Sequence, residues 1–344
     1  MNALRQFWTR RHEVVDAMAY WSGAGVAYEA AAGSEGAIIL MYHSIAGEDA
    51  ERYIDPANRL TPGLFDQQMA FLRESRRVVS LSALVERLER GEAPLPRSVC
   101  ITFDDGYLDN LTVAAPILER HGLEATLYLA TGYIDSAEAQ WSDALHAALS
   151  GRTRQRLHLP TLGLAGLSLG TQNGFESARK LLHRHLLEAH REERTSCLAD
   201  VVEQLAPEGR PPRLTMNWGD VRQLRRRYPF IELGGHTLDH VDLRKHGGAF
   251  AKAQVAASAE DIRRETGETA RHFSFPYGRW SAEVREAVAA SGWRSAVGAG
   301  LRVRIDLESD RFAMPRVEAP RSMTGLRFRT SGAYPGFLEM MGLR

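Results

Sequence analysis

The sequence contains 344 residues, 44% hydrophobic and 25% charged, a composition typical of soluble globular proteins that bury a sizeable core. Its 43 basic and 43 acidic residues cancel, so no net field attracts anionic polymers, and we expect no nucleic-acid partner. The two cysteines, Cys100 and Cys197, lie far apart and have no neighbouring ligands at zinc-site spacing. This argues against a disulfide framework and agrees with a reducing, cytoplasmic location.

Residues 1–34 are predicted to form an amphipathic helical segment. Its apolar positions are Phe7, Trp8, Val14, Val15, Met18 and Trp21. The uncharged stretch 17–28 is too short to cross a bilayer, and Glu13 and Asp16 interrupt the apolar region that a signal peptide needs. We therefore expect a helix that packs on the domain. Peripheral contact with a membrane surface is the alternative, and export through a cleaved signal stays open.

Continuous apolar runs predict buried parallel strands along residues 35–344. The first two, at 37–42 and 98–103, end on polar residues, and a helical pattern follows the second as far as Gly122. Further strand-like segments lie at 125–131, 231–235, 272–275 and 294–297, with helix-periodic segments such as 254–266 and 282–291 between them. This alternation predicts an α/β fold with helical crossovers, which we expect to be a distorted (β/α) barrel of about seven parallel strands.

The pattern changes between about residues 135 and 216. Helical runs at 175–190 and 196–205 are joined by a stretch rich in Gly and Leu around 162–170. We interpret this region as a helical insertion that packs on the barrel and shapes access to its mouth.

Two adjacent carboxylates, Asp104 and Asp105, follow the apolar strand 98–103. Ionised groups in such surroundings are costly unless they bind a cation or hydrogen-bond donors. Gly106 supplies a turn that allows both side chains to reach one site. An aspartate also commonly begins a helix, so this motif alone leaves a functional site and a helix cap open.

A pair of histidines, His236 and His240, follows the strand 231–235. Their spacing allows both imidazoles to share a metal ion, whereas a single histidine is more often a core residue. Thr237 stands where zinc proteases of the His-Glu-x-x-His pattern need glutamate, which excludes that class. One carboxylate with two imidazoles also serves non-haem iron oxygenases, but the alternating strands and helices and the second carboxylate favour a hydrolase. We expect a divalent cation, zinc before cobalt or nickel.

Together these motifs resemble the polysaccharide deacetylase family, which is carbohydrate esterase family 4 or the NodB homology domain. The resemblance rests mainly on 102–106 and 236–240, and more weakly on 40–44 and 273–278. It implies that Asp104 is the general base and that the metal ligands are Asp105, His236 and His240. It also implies that Pro276 and Tyr277 form a wall whose backbone helps to hold the oxyanion.

The sequence departs from the family pattern in two places. Ser274 stands where many members have an arginine that orients the base, and the late Leu-x-His acid motif does not follow Tyr277. The pair Tyr42-His43 resembles a family branch with an N-terminal acid, so we assign His43 as general acid, with a buried hydrogen-bonded histidine as the alternative. Arg316 is the candidate replacement for the missing arginine.

Several residues are candidates for contact with the substrate. Beside Arg316 and Pro276, the aromatic rings that could stack on a sugar are Tyr42, Trp141, Trp218 and Tyr277, although isolated aromatic residues more often belong to a core.

The resemblance implies metal-dependent hydrolysis of N-acetyl groups from amino sugars of a poly- or oligosaccharide, such as an exopolysaccharide, a cell-wall polymer or a lipid-linked glycan. Two alternatives stay open. One is a deformylase or deacetylase of a lipid-linked amino sugar, and the other is a catalytically inactive carbohydrate-binding module.

Overall fold

Residues 36–136, 138–300 and 303–331 are described by this computed structural model, so the predicted helix at 1–34 lies outside the described residues. The strands are β1 (Ala37–Tyr42), β2 (Ser44–Ile45), β3 (Arg59–Leu60), β4 (Arg77–Val78), β5 (Ser98–Phe103), β6 (Ala125–Leu129), β7 (Arg156–Leu159), β8 (Leu164–Ser168), β9 (Ile231–Gly235), β10 (His272–Ser274), β11 (Ser295–Gly298), β12 (Met314–Pro315) and β13 (Val317–Glu318). The α-helices are α1 (Pro62–Ser75), α2 (Leu81–Glu89), α3 (Ala115–His121), α4 (Trp141–Ser150), α5 (Gln172–Glu188), α6 (Arg191–Leu205), α7 (Trp218–Arg227), α8 (Gly248–Thr266), α9 (Ala282–Ala289) and α10 (Met323–Arg329).

The main sheet is parallel and closes almost completely. Its strand order is β12-β11-β10-β9-β6-β5-β1-β13, with β4 added beside β5. The two end strands, β12 and β13, are separated in the chain by Arg316 alone, so one short segment pairs with both edges of the sheet. The predicted distorted barrel of about seven parallel strands is confirmed, with eight strands along this path.

The central strands are covered on both faces, which explains their continuous apolar sequences. Every residue of β5 is buried, and β1 pairs with it over six positions, from Ala37 opposite Ser98 to Tyr42 opposite Phe103. Strands that are buried on both faces lack the alternation of half-exposed strands. This is why β1, β5 and β9 have the bounds that the apolar runs predicted.

The end of β9 requires glycine because other segments of the protein approach its backbone closely. A Cβ atom on Gly235 would lie 2.5 Å from the ring of Trp293 and 2.9 Å from Ser258 Oγ. The glycine therefore allows a helix and a neighbouring loop to pack directly behind the strand that leads to His236.

Residues between β6 and α7 form a separate unit with its own hydrophobic core, which we call the insertion. Helices α4, α5 and α6 contribute fully buried residues such as Leu182 and Val201. The sequence predicted only helices here, but β7 and β8 form an antiparallel hairpin. Residues of β7 alternate between exposed and buried over four positions, the shortest pattern that indicates a strand, and sequence reasoning missed it.

Within the described residues, no helix combines the length and apolar character that crossing a membrane requires.

Candidate active site

The polar residues predicted from the sequence meet at the carboxyl ends of the barrel strands. His43 follows β1, Asp104 follows β5, His236 follows β9, and Arg316 separates β12 from β13. They line one cavity of about 330 Å³. In parallel barrels catalytic groups assemble at this end, because the loops that follow all the strands lie there side by side.

Three side chains in this cavity have the arrangement of a metal site. One ligand atom each from Asp105, His236 and His240 lies within 4.8 Å of the other two. Asp105 Oδ1 is 3.2 Å from His240 Nε2 and 3.6 Å from His236 Nε2. The main chain of His236 directly continues β9, whereas Asp105 (φ 78°) and His240 (φ 48°) adopt left-handed backbone conformations that direct their side chains to the same point.

The chemistry of these groups fits a divalent cation. Asp105 Oδ1 is buried and has no hydrogen-bond partner, and burial followed by the charge of Asp104 raises the pKa of the Asp105 carboxyl. Burial lowers the pKa of His236 and of His240, which keeps both imidazoles neutral. Neutral imidazoles and a carboxylate that needs a cation are the form in which a metal ion is bound.

The second ring nitrogen of His236 has a partner that orients the ring. His236 Nδ1 lies 2.8 Å from the carbonyl oxygen of Ser274, which leaves Nε2 directed at Asp105. Such a contact to the other ring nitrogen is usual for metal-binding histidines because it fixes the tautomer and the ring plane.

Beside the three ligands, Asp104 forms a buried bidentate ion pair with Arg316. Arg316 Nη1 donates to Asp104 Oδ1 at 2.7 Å, and Nη2 donates to Oδ2 at 2.6 Å. Burial acts to raise the pKa of Asp104, but the guanidinium of Arg316 outweighs it and holds this pKa well below its usual range. Asp104 is therefore ionised at neutral pH.

The same guanidinium contacts the position at which the family arginine is missing. Arg316 Nη2 donates to Ser274 Oγ at 2.8 Å. The small serine side chain thus leaves room for an arginine that arrives from the seam of the barrel, 212 positions away from Asp104 in the chain. The structure places Arg316 where the sequence suggested a replacement.

His43 lines the cavity that contains Asp104 and His236. Its carbonyl oxygen accepts a hydrogen bond from Asn110 Nδ2 at 2.8 Å, which holds the chain after β1. Burial lowers the pKa of His43 to about 4, and the opposing effect of Asp104 is smaller. The imidazole is therefore neutral at neutral pH.

Of the predicted aromatic contacts, Tyr277 and Trp141 line the cavity. Tyr277 Oη donates to the carbonyl oxygen of His240 at 3.0 Å, and Trp141 Nε1 donates to Tyr277 Oη at 2.9 Å. Trp141 is nonetheless 1% exposed, so its ring has no free face on which a sugar could stack. Pro276 is buried and begins the turn that places Tyr277.

Two of the predicted sugar contacts belong to the core instead. Tyr42 is 2% exposed, its hydroxyl donates to Gln68, and its ring packs against Phe65. Successive residues of an extended chain point to opposite faces. Because the side chain of His43 lines the cavity, that of Tyr42 points away from it. Trp218 is likewise buried in the barrel core. Neither ring is available to a substrate in this structure, which corrects the expectation for both.

Sequence reasoning missed the part of the cavity wall that the insertion supplies. Helices α4 and α5 add Leu145, His146, Glu176, Arg179 and His183 to the lining. Glu176 and Arg179 form an ion pair of 2.8 Å. No local motif marks these residues, because only the docking of the insertion brings them to the barrel mouth.

Comparison with known proteins gives a consistent picture. A family model described as polysaccharide deacetylase matches residues 91–156 and 194–296, and much of the insertion lies in the gap between them. YxkH of Bacillus subtilis (strain 168), which is assigned to the polysaccharide deacetylases, is 23% identical over 301 residues, covering 86% of this chain and 75% of YxkH.

Two solved structures share the fold. The deacetylase PplD of Streptococcus pyogenes in complex with acetate and IcaB from Ammonifex degensii each superpose with a TM-score of 0.56 at 15% identity. Each comparison covers 86% of this chain and 97% of the other.

Proposed function

Because this chain belongs to the polysaccharide deacetylase family and is a deacetylase of the hydrolase class, we propose that it removes N-acetyl groups from amino sugars with the help of a divalent metal ion. The observation that carries the proposal is the buried set of Asp105, His236 and His240 directly beside the Asp104–Arg316 ion pair. Metal-dependent hydrolysis of an amide uses these two parts together, a cation site and an adjacent base.

The metal ion would be held by Asp105, His236 and His240. When bound, a divalent cation polarises an amide carbonyl and lowers the pKa of coordinated water. Two imidazoles and one carboxylate favour zinc, and cobalt or nickel suit the same donors.

Asp104 acts as the general base that accepts a proton from water. Arg316 occupies one acceptor site on each carboxylate oxygen, and Ser274 Oγ donates to Oδ2 at 3.5 Å, so Oδ1 is the oxygen that retains a second acceptor site for the water. The ion pair fixes the orientation of the carboxylate and keeps it ionised, although its low pKa makes it a weaker base. Orientation is the larger benefit, since a fixed base needs no reorganisation during the reaction.

His43 is the candidate for protonating the leaving amine. Since its pKa is about 4, it is neutral when the reaction begins and has to gain a proton during the reaction before it can donate one. The proton released from water to Asp104 is the available source, because both groups face the same cavity.

The cavity favours a saccharide substrate and opposes the inactive-module alternative. A volume of about 330 Å³ lies at the lower end of the range for ligand pockets, which suits an acetamido sugar and part of its neighbour. Arg316 supplies the contact to the base that the missing family arginine would otherwise make, and His43 lies at the same mouth. We infer that these two residues replace the ones whose absence suggested a lost activity.

The test is acetate release from acetylated chito-oligosaccharides by protein of known metal content. We expect one metal ion per chain and release that stops on chelation and returns with zinc. Asp104→Asn keeps the metal ligands, and we expect it to retain the metal while activity falls on the order of 10²- to 10⁴-fold. Stoichiometric metal without release of acetate or formate from any amino sugar would contradict the proposal.

A further inference from the structure

The two histidines of the site are held in different ways. His236 has a partner on its second ring nitrogen, whereas His240 Nδ1 is buried without one. A metal-binding imidazole normally uses this nitrogen to fix its ring. His240 therefore depends on other contacts for its position. Its ring packs against the rings of Tyr277 and His236, and its main chain is held by hydrogen bonds.

The carbonyl oxygen of His240 accepts two hydrogen bonds from opposite sides. Tyr277 Oη donates from the barrel at 3.0 Å, and Arg194 Nη1 donates from α6 of the insertion at 3.1 Å. Arg194 Nη1 also donates to the carbonyl oxygen of Asp239 at 2.9 Å. His240 has φ 48°, a conformation that a residue with a side chain keeps only when its surroundings impose it.

Arg194 is built into the insertion as a fixed anchor. It is 1% exposed, and within the described residues no carboxylate lies within ion-pairing distance of it. Its other hydrogen bonds go to the carbonyl oxygens of Leu186 and Leu187, in the last turn of α5. The negative end of that helix stabilises the positive charge of the guanidinium. Part of the guanidinium is thus fixed to α5, while Nη1 donates to the loop that contains His240.

We propose that Arg194 is a positioning residue for the metal ligand His240, so that the insertion takes part in metal binding as well as forming a cavity wall. The inference rests on the proposed metal site. Arg194 and Tyr277 together hold the main chain of His240 in its left-handed conformation, which replaces the ring contact that His236 has. Trp141, another insertion residue, supports the arrangement through its hydrogen bond to Tyr277 and by packing its ring 5.2 Å from the Arg194 guanidinium.

The decisive variant is Arg194→Met, which keeps bulk but removes every donor. Arg184→Met is the matched control, because Arg184 is an exposed arginine of α5 in the same unit. The dissociation constant for zinc is measured by competition with a chelator, and the visible spectrum of the cobalt-loaded protein reports the ligand geometry. We expect Arg194→Met to bind zinc about 10- to 100-fold more weakly with an altered cobalt spectrum, and Arg184→Met to match the wild type.

Thermal unfolding of the metal-free proteins separates positioning from simple stability. A purely structural role would lower the unfolding temperature of Arg194→Met but leave its zinc dissociation constant unchanged, and that result would overturn the inference. If wild-type protein binds no metal, the proposed function fails instead.

Arg194→Lys keeps the inference testable if the methionine variant does not fold. Lysine retains the charge at the end of α5 but lacks the planar fork that reaches the Asp239 and His240 carbonyls together with those of α5. We expect an intermediate zinc affinity and an altered cobalt spectrum. A lysine variant with the wild-type constant and spectrum would also refute the role of Arg194.

Discussion

The barrel mouth and the insertion contribute to one cavity, but they do so by different kinds of contact. At the mouth, the functional side chains lie at strand ends or in the short loops that follow them, as Asp104 follows β5 and His236 follows β9. The insertion acts through helices that lie across the mouth, and Arg194 reaches the site by way of backbone carbonyl groups. Functional groups on strand ends are thus visible as local motifs, whereas contacts through a docked unit leave no such trace.

The largest effect is expected from losing a ligand at the mouth. His236→Gln removes the imidazole whose Nε2 faces Asp105, and we expect metal retention to be lost and acetate release to fall to the background of the assay. Metal content after desalting and acetate release are measured on the same sample. Full activity without bound metal would show that this end of the barrel does not work as a metal site.

The second prediction compares a buried ion pair at the mouth with an exposed one elsewhere. Arg316→Met leaves the Asp104 carboxylate buried and unpaired, so we expect unfolding to require about 3–5 kcal/mol less free energy. The control, Arg285→Met, removes an equally bidentate but partly exposed pair with Asp310, for which about 0–1 kcal/mol is expected. Urea unfolding measures both.

For Arg316→Met we also predict a change in the pH dependence of activity. Without the guanidinium, the largest influence that opposes burial is lost and the pKa of Asp104 rises. Because the base works only when ionised, we expect the residual activity of Arg316→Met to be lost at a higher pH than that of the wild type as the solution is acidified. If the acidic limb of the pH–activity profile were unchanged, Arg316 would not control the ionisation of Asp104.

The fourth prediction asks whether the insertion is a separate cooperative unit. Leu182→Ala creates a cavity in the core of the insertion and is expected to cost about 2–5 kcal/mol there. Hydrogen exchange should quicken in α5 and α6 while the amides of β5, β6 and β9 keep their protection. Equal acceleration in the barrel strands would show that the two regions unfold together.

The smallest effect concerns the end of the barrel opposite the cavity. Burial, followed by Arg294 and Arg271, lowers the pKa of His272 to about 3, so this histidine stays neutral in the folded protein while it protonates in the unfolded chain. The contribution of neutral His272 to the free energy of unfolding is complete above the ordinary histidine pKa, and it is lost as the pH falls from there towards 3. We expect the free energy of unfolding to drop by up to about 1.4 kcal/mol per pH unit in this range.

His272→Asn tests this assignment. The variant lacks the titrating ring that lies between Ser82 and Ser295, so the pH dependence of its unfolding should be shallower than that of the wild type. Identical slopes in the two proteins would assign the dependence to other groups.

The sequence by itself determined the barrel strands and the Asp-Asp and His-x-x-x-His motifs, together with the chemistry that these residues imply. Doubly covered strands must be apolar throughout, and the residues that follow them emerge at one end of the sheet, so both features are written locally in the chain. Only the tertiary structure decided the partner of Asp104, the burial of Tyr42, the hairpin of the insertion and the hold of Arg194 on His240. These four features depend on the packing of segments that are distant in the chain. The local sequence around an arginine does not indicate which carboxylate or carbonyl group it will contact.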